Sequence, residues 1–580
     1  LLTLLATTPA IAQQSADDQL NKLLTDAWET ELREFPLFAT RAGDHRYDDR
    51  LDDMTVAAFE RRLGQQREFL TRLEKIDRGQ LSPSQQINYD LFGRVTREHI
   101  REYEFGGHLM PITNRSGFHV ELPELPRHVP LNNLKDYENY VARLQSVGRY
   151  ADEHIELMRE GIRRGMTLAD VSLRDYRAVI DPQLVTHPTK SRLYDPFRKL
   201  PGSIHKDDAR RLDEAARRAI TESVVPGLRR FETFLGNEYL KACRGQIGAS
   251  SLPNGREFYR FRVRKFTTLD VTPEQVHETG LAEVKRIRGE MDAIIGKLDF
   301  RGDFAAFVND LRTNPKFYPN SADELMKDVS YVLKKMDGQL PRLFKTLPRS
   351  PYGIRPVPEH IAPQTTTAYY WPPPGDGSQA GFYYVNTYNL KSRPLFEIEA
   401  LSLHEAVPGH HLQLALQQEL GDLPPFRRFA HWTAFIEGWG LYAERLGLEV
   451  GFYEDPYSDF GRLSYEMWRA CRLVVDTGMH HLGWSRQQAI DFMAANTALS
   501  LHNITSEVDR YIAWPGQALA YKMGELKIRQ LRQVAEELLG DRFDVREFHE
   551  VVLGAGALPL DVLDARVQAW IKAETSRQGN

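Results

Sequence analysis

Apolar residues recur at spacings of three and four along most of the first 240 residues, as in Tyr137-Tyr140-Val141-Leu144-Val147 and Ile155-Leu157-Met158-Ile162. That period places them on one helical face and predicts a mostly helical region over residues 17–240. The pattern breaks between Gly106 and Leu131, where glycines and prolines predict a long surface or channel-lining loop. Thr272-Pro273-Glu274-Gln275 reads as a helix start, with threonine as N-cap, proline at the first position and glutamine reaching back. His277, Glu278 and Glu283 fall on that helix and are expected to be structural.

Strand character is concentrated in Thr365–Trp371 and Phe382–Tyr388, β-branched and aromatic runs separated by Pro372-Pro373-Pro374-Gly375-Asp376-Gly377. They predict a hairpin, either an aromatic core element or an edge to which an extended peptide can add as a further strand. Tyr384 and Asn386 on its second strand are candidate substrate contacts. No internal repeat and no further apolar run long enough to span a membrane is present.

At 580 residues the chain is too long for one ordinary core, and its 42% hydrophobic and 27% charged residues are those of a soluble globular protein. A net charge of -5 without a long basic run argues against a nucleic-acid partner. Residues 1–12 are apolar, uncharged and end in Ala10-Ile11-Ala12, an Ala-x-Ala cleavage signature. They are expected to be the remnant of a secretory signal, which makes the mature chain exported, periplasmic or secreted, with no membrane span. The remainder divides into an N-terminal helical region (13–240), a central helical region (241–360) and a region carrying the chemistry (361–580). Cys243 and Cys471 are the only cysteines, and export permits but does not require a bond between them. No feature specifies an oligomeric state.

The chemistry centres on Leu403-His404-Glu405-Ala406-Val407-Pro408-Gly409-His410-His411. It nearly matches H-E-x-x-H, in which two histidines four residues apart bind zinc and the glutamate activates a water. Proline occupies the position of the second histidine. On a straight helix His410 would point about 240° round from His404, and His411 would lie roughly 10 Å further along. Pro408 lacks an amide and clashes with the preceding turn, so the helix is expected to bulge, with Gly409 tolerating the torsions. Looping out two residues restores His410 as the ligand, and looping out three selects His411; the first is favoured.

A third ligand is offered by Phe435-Ile436-Glu437-Gly438-Trp439-Gly440-Leu441-Tyr442-Ala443-Glu444. An acid in such an apolar helix is costly unless paired or metal-bound. Glu437 would complete a His-His-Glu zinc site, and Glu444, two turns on, would orient a ligand histidine.

These two segments resemble the gluzincin zinc peptidases, among them angiotensin-converting enzyme, thermolysin and dipeptidyl peptidase III, the last with an elongated histidine motif ending in Gly-His. The chain is also similar to the bacterial family known as DUF 885, a domain of unknown function. That likeness rests on residues 404–411, 437–444, 475–480 and 511–518. The resemblance implies a mainly α, multi-helix zinc-peptidase-like fold with a deep channel and a small hairpin or sheet beside the metal helix, and short peptides as substrates.

Glu405 would take a proton from the attacking water and return it to the leaving amine. Tyr511 and Tyr521, flanking Trp514–Gln517, are candidate donors to the oxyanion. The likeness to angiotensin-converting enzyme adds His480 and His481 and again selects Tyr521. Arg510 and Lys522 would bind a substrate carboxylate. The leading expectation is an exported zinc metallopeptidase of carboxypeptidase or dipeptidase type. A zinc hydrolase of non-peptide amides or cell-wall fragments and a catalytically silent peptide-binding protein are the alternatives.

Overall fold

The Thr272 hydroxyl accepts the Gln275 N–H and the Gln275 side chain accepts the Thr272 N–H, so the capping box foreseen there starts helix Pro273–Lys297. The computed structural model describes residues 15–576 apart from Asn114, His360 and Gln364. The expected signal remnant lies outside the described residues. The fold is mainly α, with one small sheet. Helix Leu134–Arg164 buries Tyr137, Tyr140, Val141, Leu144 and Val147, the face that the apolar period marks out. It ends at Gly165, whose φ of 70° suits glycine.

Residues 106–131 are not a simple surface loop. They form short helical turns that bury Phe118, Leu122 and Leu125 against that long helix, while Arg115 and His128 face a large cavity.

The sheet has the order β1-β3-β2, with β1 Tyr352–Pro356, β2 Ala368–Trp371 and β3 Gly381–Val385. β2 and β3 form the antiparallel hairpin, with Tyr370 opposite Tyr383, and β1 lies parallel on the other side of β3. The sequence reading missed β1, because Gly353 and Pro356 in a five-residue strand mask its β character.

One core draws on residues from Leu91 to Ile571, most of them from Phe266 onward, and includes residues of the sheet and of the helices that carry the candidate ligands. Two bare-backbone crossings draw these helices close. A Cβ on Gly524 would stand 1.9 Å from the Ala434 carbonyl oxygen, and one on Gly438 would stand 2.5 Å from Gly524. Helix Thr433–Leu446 is thereby pressed onto helix Ala520–Leu539. Lys522 at the start of the latter is fully buried between Glu283, Glu466 and Glu525 at 2.8–3.0 Å, tying it to two further helices. Among the described residues no helix is long and apolar enough to cross a membrane. Cys243 and Cys471 are free thiols.

Candidate metal centre

Helix Ile398–Glu405 stops directly after the His-Glu pair, and a second helix, His410–Glu419, begins at the next histidine. The expected bulge is therefore a full break. The Val407-Pro408 bond is cis, and Pro408 offers no N–H with which to continue the ladder. The break is held from outside, because Trp439 Nε1 donates to the Pro408 carbonyl at 2.9 Å. The His411 N–H reaches back to the Ala406 carbonyl at 3.0 Å.

Gly409 is needed for closeness, not for a left-handed torsion. A Cβ there would lie 1.9 Å from the His404 carbonyl oxygen. This fold-back sets the His404 and His410 rings 4.6 Å apart and nearly perpendicular.

Glu437 reaches the same point from helix Thr433–Leu446. Its Oε2 lies 3.6 Å from His404 Nε2 and 3.4 Å from His410 Nε2. Two bonds of about 2.0–2.1 Å meeting at a tetrahedral angle separate their donors by about 3.4 Å, so the three side chains fit one zinc ion. Their ligand atoms form the three-residue cluster of metal-binding type found among the described residues.

His404 is fixed on two sides. Its Nδ1 shares a hydrogen bond with Glu444 Oε1 at 2.8 Å, and its ring lies flat on Gly440, where a Cβ would stand 2.7 Å from Cε1. In the neutral form that binds a metal, the Glu444 bond would keep the proton on Nδ1 and turn the Nε2 lone pair to the triad. Arg469 in turn lies 3.3 Å from Glu444. His410 Nδ1 has no such partner. Burial opposes a charge on His404, but Glu437 and Glu444 outweigh it and lift its pKa to about 9. Burial likewise opposes ionisation of Glu437, yet the two histidines hold its carboxyl well below the usual range.

Glu405 ends its helix half-buried. Its charge reaches Tyr383 of the sheet, whose phenol pKa is raised by burial and further by Glu405.

A model of the family described as bacterial protein of unknown function (DUF885) matches residues 36–567. The chain belongs to that family. It is similar to a solved protein described as the putative lipoprotein from Colwellia psychrerythraea, at 28% identity and a TM-score of 0.92, covering 96% of this chain and 100% of that one. A second structure, of a putative lipoprotein of unknown function from Shewanella oneidensis, shares the fold at 17% identity and a TM-score of 0.70, covering 95% and 99% of the two chains. No curated protein matches.

In this DUF885 chain the remaining residues singled out from sequence divide sharply. Tyr521 stays near the triad: its phenol pKa is raised by burial and then by the charge of Glu437, and Arg472 packs over its ring at 4.2 Å. His411, the alternative ligand, is turned to the sheet instead, where its Nδ1 meets the Tyr370 hydroxyl at 2.8 Å and burial lowers its pKa to about 4.

Tyr511 is corrected to a structural role, since its hydroxyl is spent on Trp468, Arg472 and Glu507 at 2.8–2.9 Å. His480 is fully buried, with the Ala249 N–H on Nδ1 and the Tyr511 carbonyl on Nε2, so it has no nitrogen left for a substrate. His481 pairs with Glu274. Lys522 is walled in by its three carboxylates, and Arg510 is engaged by Glu507 and Gln517. Neither is free to take a substrate carboxylate as expected. Asn386 ends the hairpin, donating to the carbonyls of Ala362, Thr365 and Thr366.

Tyr384 points away from the metal helices, stacking on Tyr369 and lining the large cavity. Tyr383, its neighbour, is the strand residue that the sequence reading missed; strand alternation puts one of the pair on each face. His431, also missed, precedes the Glu437 helix and lies within electrostatic reach of Glu437 and His410. A lone histidine outside any motif carries no spacing signal.

Proposed function

We propose that the protein is an exported zinc-dependent peptidase of the gluzincin type that hydrolyses short peptides. The observation that carries this reading is the convergence of His404, His410 and Glu437 on one point, with Glu405 next to His404 in the chain. Held by His404, His410 and Glu437, a zinc ion would supply a Lewis acid and lower the pKa of a water molecule. Glu405 accepts the proton from that water and delivers it to the leaving amine. Glu444 holds His404 in its tautomer and orientation, and Tyr521 donates to the developing oxyanion. β2 is paired only with β3 among the described residues, which leaves its other edge for an extended peptide. The lipoprotein description of the Colwellia relative supports export to the cell envelope.

The reading is tested by metal analysis of purified protein together with hydrolysis of a mixed peptide library, with products identified by mass spectrometry. One equivalent of zinc and turnover that a chelator abolishes and zinc restores are expected. Metal-free protein that gains neither zinc nor turnover on zinc addition would refute it.

A further inference from the structure

Across the sheet from the metal helices lies a cavity of about 1040 Å³, bounded by the first helices, the long helix Leu134–Arg164 and the outer face of β2 and β3. Cavities that hold organic ligands run from about 300 to 1,000 Å³, mostly apolar with a few polar anchors. This one has aromatic walls, with Phe35 and Phe38 on one side and Trp371 and Tyr384 on the other.

Two carboxylates, Glu31 and Asp52, face it without a counter-ion. Asp52 accepts one backbone N–H, from Leu37 at 3.2 Å, and neither acid forms an ion pair with a described residue, although both line the cavity. Three arginines lie within electrostatic reach, Arg62 of both acids and Arg41 and Arg143 of Asp52, but none forms an ion pair with either acid, although Arg62 and Arg143 each keep an unpartnered Nη1. Arg62 pairs with Glu34 at 3.2 Å and donates to the Glu34 and Asp53 carbonyls. Arg143 donates to the Arg50 carbonyl and the Thr40 hydroxyl, and its nearest carboxylate is Asp48 at 3.6 Å.

Burial, with a smaller push from the Asp52 charge, lifts the Glu31 pKa to about 7 against the opposing pull of Arg62; burial raises that of Asp52 too, against the Leu37 N–H and the charges of Arg62, Arg143 and Arg41. Two adjacent desolvated acids without a direct ion pair are costly in the folded chain, and a cation entering between them relieves both. Aromatic faces nearby favour the same charge.

We propose that this cavity is a binding site for an organic primary ammonium on an apolar body, with Glu31 and Asp52 as the charged anchors and the aromatic walls holding the body. The site is separate from the metal triad and stands whether or not the triad hydrolyses peptides. The cavity also presents Arg41, Lys190 and Arg192, all exposed, so the opposite charge preference is a real competing outcome.

The test compares phenethylamine with 3-phenylpropionate, two probes of matched body and opposite charge, by calorimetry on the full chain at pH 8. Phenethylamine is expected to bind at least tenfold more tightly. In Glu31→Gln/Asp52→Asn that preference should fall at least tenfold, with the fold checked by circular dichroism. Equal or tighter binding of 3-phenylpropionate, no binding of either probe, or a preference that survives in the folded double variant each overturns the proposal. The wild-type comparison decides by itself if the double variant does not fold.

Discussion

His404 and Glu405 are consecutive residues with opposite fates, one pinned by Glu444 and Gly440, the other half-buried at the end of its helix. Replacing Glu405 by Gln removes a proton acceptor and leaves every ligand in place. Zinc content should stay at one equivalent while peptide turnover is lost; turnover near wild type in the zinc-loaded variant would rule out the base. Glu444→Gln should weaken zinc roughly 10–100-fold, the usual loss when the orienting partner of a ligand histidine is removed, as a competition titration with a chromophoric chelator would show. Gly409→Ala puts a methyl group 1.9 Å from the His404 carbonyl oxygen. Overpacking of this kind costs about 1–3 kcal/mol, and relief requires moving the loop that carries His410, so metal affinity should fall along with the melting temperature. The residues the structure draws together here were legible because the chemistry sits in two short, unusual segments. Tyr511, His480, Lys522 and Asn386 were not, because the Trp468 and Arg472 partners of Tyr511 and both partners of His480 lie 31 or more residues away, and the partners of Asn386 and Lys522 include backbone carbonyls and a distant buried acid that no local pattern announces.

Helices were legible from apolar period and caps, as Thr272 and helix Leu134–Arg164 illustrate, whereas their mutual approach was not. Gly438 and Gly524 meet only through tertiary packing, and neither carries a turn signal. Ala at 524 would gain up to about 1 kcal/mol of helix propensity. Its Cβ would meet backbone oxygen at 1.9 Å, which cannot yield as a side chain can, so the steric cost wins and Gly524→Ala should lower the urea midpoint.

Asp476 ties three elements, accepting the Tyr259 hydroxyl at 2.6 Å and the Gly516 N–H at 3.1 Å. Burial raises its pKa to about 7, against the lowering pull of those hydrogen bonds. The folded state thus holds this proton more tightly than the unfolded state, where the pKa is about 3.9. Stability is lost as pH rises from about 4 to about 7 and is level above that. Asp476→Asn should remove that slope, gaining stability over wild type at pH 8 relative to pH 4, on the order of a few kcal/mol. Parallel unfolding curves for the two proteins across that range would show that Asp476 stays ionised in the fold.

At the scale of the molecule, the helices bearing the triad belong to a core of aliphatic and aromatic residues that continues to Ile571. Zinc at 100 times its dissociation constant should therefore add about 2.7 kcal/mol by mass action, visible as a higher melting temperature that a chelator reverses. A reductant should change nothing, since both cysteines are free. The donor atoms of His404, His410 and Glu437 already stand 3.4–3.6 Å apart around a common point. Small zinc domains behave differently, because their chains remain unfolded until the ion gathers them. If the triad binds zinc as proposed, folding and metallation are separable events in this protein. On that reading the chain completes its fold first and acquires its ion afterwards, wherever it meets zinc.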